Sequence, residues 1–85
     1  MRVDLFLKLS GLIKTRSRAK RACDGGYVLL NGSSAKPSAE VSVDDRLEVE
    51  GARGRKRLVR VDEIPRGKQV SRKERRRLYT ELDGE

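Results

Sequence analysis

Residues 16–32 decide the fold, and they read RSRAKRACDGGYVLLNG. Ala19, Ala22 and Cys23 form a narrow face of small side chains at helical spacing, so this segment predicts a helix that can pack tightly on a neighbour. The glycine pair 25–26 then stops the helix, because glycine readily adopts the left-handed conformation that ends helices. An apolar strand follows at once. The stretch therefore predicts a helix–turn–strand corner with basic side chains on its outside.

Another helix is predicted before this corner. One face of it carries an apolar stripe, which comprises Leu5, Phe6, Leu9, Leu12 and Ile13. Leu7 falls outside the stripe, so we expect it either to be exposed or to make a second contact. Gly11 weakens the helix and marks either its end or a close approach of another backbone. Thr15 or Ser17 is predicted to cap the helix that follows.

The residues after the corner predict antiparallel strands. Residues 27–30 are apolar, and the Asn-Gly pair 31–32 favours a tight type I′ turn. Residues 46–50 alternate as a half-buried strand does, and residues 59–61 repeat the pattern. The basic, glycine-containing loop 51–57 between them is therefore predicted to be the tip of a hairpin. The predicted core comprises Leu5, Leu9, Leu12, Ala19, Ala22, Val28, Leu30 and Leu47.

The last part of the chain predicts a basic helix. Residues 65–68 read as a linker, and Ser71 followed by Glu74 forms a capping-box pattern. The predicted helix runs from there to about Leu82, with few apolar side chains among many arginines. We expect this tail to be an accessory clamp whose removal lowers affinity and leaves the domain folded.

The charge of the chain favours an anionic partner. The 85 residues carry a net charge of +8. Residues 1–24 carry seven Lys or Arg and two Asp, whereas residues 25–50 carry two Lys or Arg and five Asp or Glu. Residues 51–85 are again strongly basic. Such a balance indicates nucleic acid or an anionic membrane surface. No apolar run approaches the length of a membrane span and no signal peptide opens the chain, so we expect a cytoplasmic protein without a membrane partner.

The residue inventory argues against catalysis. The chain has no His and one Cys, and it has no glycine-rich phosphate loop of the G-x-x-x-x-G-K type. Asp44 and Asp45 fit a solvated turn better than a metal site. We therefore expect no catalytic residues, no metal and no cofactor.

The first half of the chain resembles a known RNA-binding domain. The segments that carry the resemblance, in order, are Arg2–Asp4, Phe6–Lys8, Leu12–Lys14, Arg16–Ala19, Gly26–Gly32, Ala35–Lys36 and Val43–Leu47. Together they resemble the S4-type (alpha-L) RNA-binding domain over residues 1–50. The size of the chain makes it similar to the free-standing bacterial P-site factors of ribosome quality control and to the small heat-shock ribosome-rescue proteins.

This resemblance implies an α+β, S4-like fold with two to three helices on a small antiparallel sheet. Residues 1–64 would form the RNA-binding domain, and residues 65–85 a basic, helical C-terminal extension. Carried over by position, the RNA-binding residues are Arg2, Asp4, Lys8, Lys14, Arg16, Arg18 and Lys20. The basic loop and the tail would add secondary RNA contacts from Arg53, Arg55, Lys56, Arg57, Arg72 and Arg76. Gly11 departs from the family, where a basic residue is common at this position.

The implied function is that of an RNA-binding quality-control factor acting as a monomer. Such a factor would bind stalled large ribosomal subunits, contacting large-subunit rRNA and P-site peptidyl-tRNA. It would thereby support C-terminal tailing of the nascent chain by an NFACT-type tailing protein. Three alternatives stay open: a heat-shock-type rescue or recycling factor, a stand-alone targeting module for an RNA-modifying enzyme, and a basic protein-interaction or membrane-surface module.

Overall fold

The computed structural model describes residues 1–67 and 69–82. Within these residues the chain forms three α-helices and five β-strands. The helices are α1 (Val3–Leu9), α2 (Arg16–Asp24) and α3 (Arg72–Leu78). The strands are β1 (Val28–Leu30), β2 (Ser33–Ser34), β3 (Arg46–Glu50), β4 (Lys56–Val61) and β5 (Tyr79–Leu82). The expected α+β architecture is confirmed.

The strands form an antiparallel sheet in the order β2-β1-β3-β4-β5. The longest pairing joins β3 to β4, with Arg46 opposite Arg60 and Glu50 opposite Lys56. The intervening residues 51–55 form the predicted hairpin tip, and Arg53 there adopts a left-handed φ of 62°. The sheet therefore presents the basic loop at one of its ends.

The corner forms as the sequence predicts. The side chain of Thr15 caps α2 by accepting a 3.1 Å hydrogen bond from the amide of Arg18. Gly26, with a φ of 82°, turns the chain into β1. Asn31 and Gly32 both adopt positive φ, as a type I′ turn requires. The amide of Arg46 donates to the Asn31 side chain over 2.8 Å, which ties this turn to the start of β3.

The core corrects the predicted stripe of the first helix. Leu7, placed outside the stripe, is completely buried, whereas Leu5 is only half-buried. Of the other predicted core residues, some are fully buried, namely Leu9, Ala19, Val28 and Leu47, and some are partly buried against the core, namely Leu12, Ala22 and Leu30. A single apolar stripe underestimates how much of the α1 surface is buried, because the helix packs both on α2 and into the shared core.

The helix α1 is shorter than its apolar pattern. It ends at Leu9, and Gly11 follows with a φ of 80°. The Gly11 amide donates to the Lys8 carbonyl over 3.0 Å, which closes the helix in a left-handed cap. At the other end, the amides of Val3 and Asp4 donate to the loop carbonyls of Ala39 and Pro37. Both ends of α1 are thus fixed by backbone hydrogen bonds.

The tail differs from the predicted continuous helix. The capping box of Ser71 and Glu74 is present, but α3 ends at Leu78 and the next four residues form β5. This strand pairs with the edge of β4, and Leu78 is 1% exposed. The helix stops here because the unpaired edge of β4 offers ladder hydrogen bonds that an isolated basic helix cannot match. The domain boundary at residue 64 stays a prediction.

Candidate nucleic-acid interface

A buried carboxylate organises the basic surface at the N-terminal end of α1. Asp4 has a side-chain exposure of 2%, although it carries a charge. The guanidinium of Arg2 donates to both of its oxygens, over 3.2 Å and 3.0 Å. The Nε of Arg16 lies 3.6 Å from the same carboxylate. Each arginine side chain keeps 47% exposure, so one buried acid holds two exposed cations.

The α1–α2 packing brings this arrangement together. The helices α1 and α2 pack on each other, and the buried residues of α2 are Ala19 and Cys23, whose small side chains favour a close approach. Arg16 consequently begins α2 beside the start of α1, where its Nε lies near the carboxylate of Asp4. Arg2, Asp4, Arg16, Ser17 and Lys20 line one shallow surface cavity. Two guanidinium groups and an ammonium group therefore converge on a space that a phosphate could occupy.

Asp4 is thereby placed differently from the other predicted RNA-binding residues. Its carboxylate is directed at Arg2, Arg16 and the amide of Leu5, which donates to it over 2.7 Å. It is thus a positioning residue for the two arginines. The predicted RNA-binding residues did not include Ser17, which lines this cavity. Its position one helical turn before Lys20 places both side chains on the same side of α2, which could have indicated it.

The remaining predicted RNA-binding residues of the first half of the chain are exposed but do not line this cavity. Lys14 and Arg18 are exposed near the α2 N-terminus. Lys8 is also exposed and lines a different shallow cavity, together with Leu9, Gln69, Val70 and Arg75. The predicted face therefore contains an Asp4-centred site and, at the far end of α1, a second basic surface that includes Lys8. Lys14 and Arg18 line neither of these two cavities.

The predicted secondary contacts differ in how far they are already paired. Arg57 donates to both carboxylate oxygens of Glu81, over 3.0 Å and 2.8 Å. Lys56 lies 3.9 Å from Glu48. The other four, Arg53, Arg55, Arg72 and Arg76, are exposed. Arg57 is consequently less available to RNA than the sequence suggested, because it is tied to β5.

Carboxylates on the β4–β5 side have lowered pKa values. Hydrogen bonds from Arg57 hold the pKa of Glu81 below its ordinary value. The pKa of Asp62 is lowered by hydrogen bonds from Thr80 and then from Arg60. The Arg60 Nε donates to Asp62 over 3.0 Å, and the Thr80 hydroxyl donates to the other oxygen. These contacts connect β5 to β4 beyond the backbone ladder.

The remaining features to consider are the single cysteine, clusters of metal ligands and membrane-spanning helices. Cys23 is a buried thiol, and burial, followed by the charges of Asp4 and Asp24, raises its pKa to about 11. Within residues 1–67 and 69–82, no group of three or more His, Cys, Asp or Glu side chains could hold a metal ion. No helix in the same residues is long and apolar enough to cross a membrane.

The fold matches a known domain class. Residues 1–47 match the S4 domain family. A heat shock protein 15 of Vibrio cholerae, solved as a trimer, superposes with a TM-score of 0.85 at 29% identity, covering 98% of this chain and 82% of that one. A solution structure of a hypothetical protein superposes with a TM-score of 0.83 at 36% identity over the full length of both chains. The molecule is an S4-domain protein.

Curated relatives indicate to which family of S4-domain proteins the chain belongs. A Helicobacter pylori protein named RQC P-site tRNA stabilizing factor is 42% identical over 74 residues, which cover 87% of each chain. A Bacillus subtilis protein of the same name is 49% identical over 49 residues, covering 58% of this chain and 57% of that one. The chain belongs to the family of RQC P-site tRNA stabilizing factors.

Proposed function

We propose that the protein is a non-enzymatic RNA-binding factor that holds P-site tRNA on obstructed large ribosomal subunits. The observation that carries this proposal is the pair Arg2 and Arg16, fixed on the buried carboxylate of Asp4 beside Lys20. Fixed cations bind phosphate with a smaller loss of side-chain entropy than mobile ones do. The name shared by the relatives describes stabilisation of a P-site tRNA, which is a binding role.

The physical role is to bridge two RNA backbones that repel each other. Positive charges fixed between large-subunit rRNA and peptidyl-tRNA offset that repulsion and favour one placement of the tRNA. We further propose that this placement supports C-terminal tailing of the nascent chain by an NFACT-type partner. The protein would act as a monomer in the cytoplasm, where the stalled subunits are.

A charge-neutralising substitution of the buried acid tests the proposal. Asp4→Asn keeps the shape of the side chain and raises the net charge, so a diffuse electrostatic attraction predicts tighter RNA binding. A site built on Asp4 predicts weaker binding, by about tenfold, because both arginines lose a charge-assisted partner. Binding is measured by titration of labelled protein with large subunits of Bacillus subtilis that carry P-site tRNA.

Asp24→Asn is the matched control, because it makes the same charge change at an exposed position of α2. We expect it to leave binding unchanged or slightly tighter. Arg16→Gln removes one cation directly and should weaken binding without placing a second carboxylate beside Asp4, as Arg16→Glu would. Equal or tighter binding by Asp4→Asn with the fold intact contradicts the proposed site.

A second candidate function is supported by the superposition on a heat shock protein 15. In that case the protein would recycle aborted large subunits independently of tailing. Deletion of the gene in the native host separates the two functions. Loss of alanine tails on tagged stalled chains, not restored by an Arg16→Gln copy, supports the tailing role. Normal tails in the deletion strain support the rescue role.

A further inference from the structure

The end of α1 opposite Asp4 carries a second basic surface built from two distant parts of the chain. Lys8 of α1 and Arg75 of α3 line one shallow cavity there, together with Leu9, Gln69 and Val70. Both basic side chains are exposed. The tail thus brings a cation to the helix that also carries the Asp4-centred site.

Arg75 lies directly over Gly11. A Cβ atom at Gly11 would lie 3.6 Å from Cδ of Arg75 and 3.9 Å from its Nη1, which is ordinary van der Waals contact. Gly11 itself contributes no side chain, and its φ of 80° is the conformation that ends α1. The arginine stem therefore lies against bare backbone, and its guanidinium borders the space into which a side chain at residue 11 would project.

The acids of the described chain do not neutralise this surface. Among residues 1–67 and 69–82, no ion pair includes Lys8 or Arg75. The adjacent Glu74 is directed at the amide of Ser71 in the capping box. Two cations on one cavity repel each other, and an anion from outside would relieve that repulsion.

We propose that Lys8 and Arg75 form a second phosphate-binding site for the RNA backbone, supplied in part by the tail. α1 has seven residues and is therefore about 10 Å long. The two sites at its ends can then hold phosphates of the same RNA surface. This inference rests on the proposed function, because it names further contacts of the same partner.

The test uses full-length protein and large subunits of Bacillus subtilis that carry P-site tRNA. Arg75→Gln should weaken binding several-fold and lower the magnitude of the slope of log K against log salt by about 0.7–0.9. Arg77→Gln is the matched control, because it makes the same change on nearly the opposite side of α3. Equal losses from both variants, or no loss from Arg75→Gln, overturn the second site.

Arg16→Gln, measured in parallel, separates the two proposals. Weaker binding by Arg16→Gln without an effect of Arg75→Gln overturns only the second site. No effect of either variant overturns the proposed function together with the second site. Melting temperatures of all variants are recorded, so that a loss of binding is not confused with a loss of fold.

A second pair of variants probes the site from α1. Gly11→Asp places a carboxylate against Arg75, whereas Gly11→Asn places the uncharged side chain of the same shape. Aspartate and asparagine both tolerate a left-handed backbone, and Asp44 already adopts a φ of 74° in this protein. We expect Gly11→Asp to bind the subunits several-fold more weakly than Gly11→Asn. Equal affinities of the two variants contradict the proposal.

Discussion

Leu78→Ala tests whether the tail is part of the folded domain. Leu78 joins α3 to β5, and its side chain is 1% exposed. Its carbonyl also accepts hydrogen bonds from the amides of Asp62 and Glu63, over 2.8 Å and 3.3 Å. Alanine keeps these backbone bonds, so the substitution reports on the side chain alone.

The expected loss follows from the burial. Three carbon atoms are removed from the core, which costs about 2.4 kcal/mol at about 0.8 kcal/mol each. The cavity left behind raises the total to about 3–4 kcal/mol. A domain of this length has a free energy of unfolding of about 4–13 kcal/mol. The melting temperature should therefore fall by roughly 12–30 °C.

The assay is thermal and urea unfolding followed by circular dichroism at 222 nm. Leu82→Ala is the control, because Leu82 is only half-buried in β5. This variant should lose less than half as much free energy of unfolding as Leu78→Ala does. A loss below about 1 kcal/mol for Leu78→Ala, or equal losses for the two variants, would refute the reasoning. The tail would then be the accessory clamp that the sequence predicts.

Other measurements test the core and the titrating groups. Leu7→Ala should lower the free energy of unfolding by about 2–4 kcal/mol and Leu5→Ala by less than half as much, as measured by urea unfolding. The reverse order would support the apolar stripe predicted from the sequence, in which Leu5 is buried and Leu7 is not. Because the pKa values of Asp62 and Glu81 are lowered in the folded state, their ionised carboxylates stabilise the fold at pH values above the ordinary carboxyl pKa of about 4. This contribution is lost as the pH falls towards the lowered pKa values. Acid titrations of stability should therefore be flatter below about pH 4 in Asp62→Asn and Glu81→Gln than in the parent, and identical curves would contradict the assignment. Cys23, with its pKa raised to about 11, should react with a thiol reagent at least about 100-fold more slowly in the native protein at pH 8 than in urea.

Local sequence determined the elements whose signals lie within a few residues of one another. The α2 cap at Thr15, the Asn31–Gly32 turn and the capping box at Ser71 all follow from side chains that bond to nearby backbone. The β3–β4 hairpin follows from alternation on both sides of a glycine-containing loop. The basic character of the face is likewise a property of composition.

Only the tertiary structure decided the features that join distant residues. Leu7 is buried because α1 contacts more than one neighbour, and β5 forms because the β4 edge needs a partner. The cluster around Asp4 requires α2 to begin beside α1, and Arg75 reaches Gly11 across sixty-four positions of sequence. Hydrophobic period and local propensity contain no information on such contacts, since these depend on which surfaces the folded chain brings together.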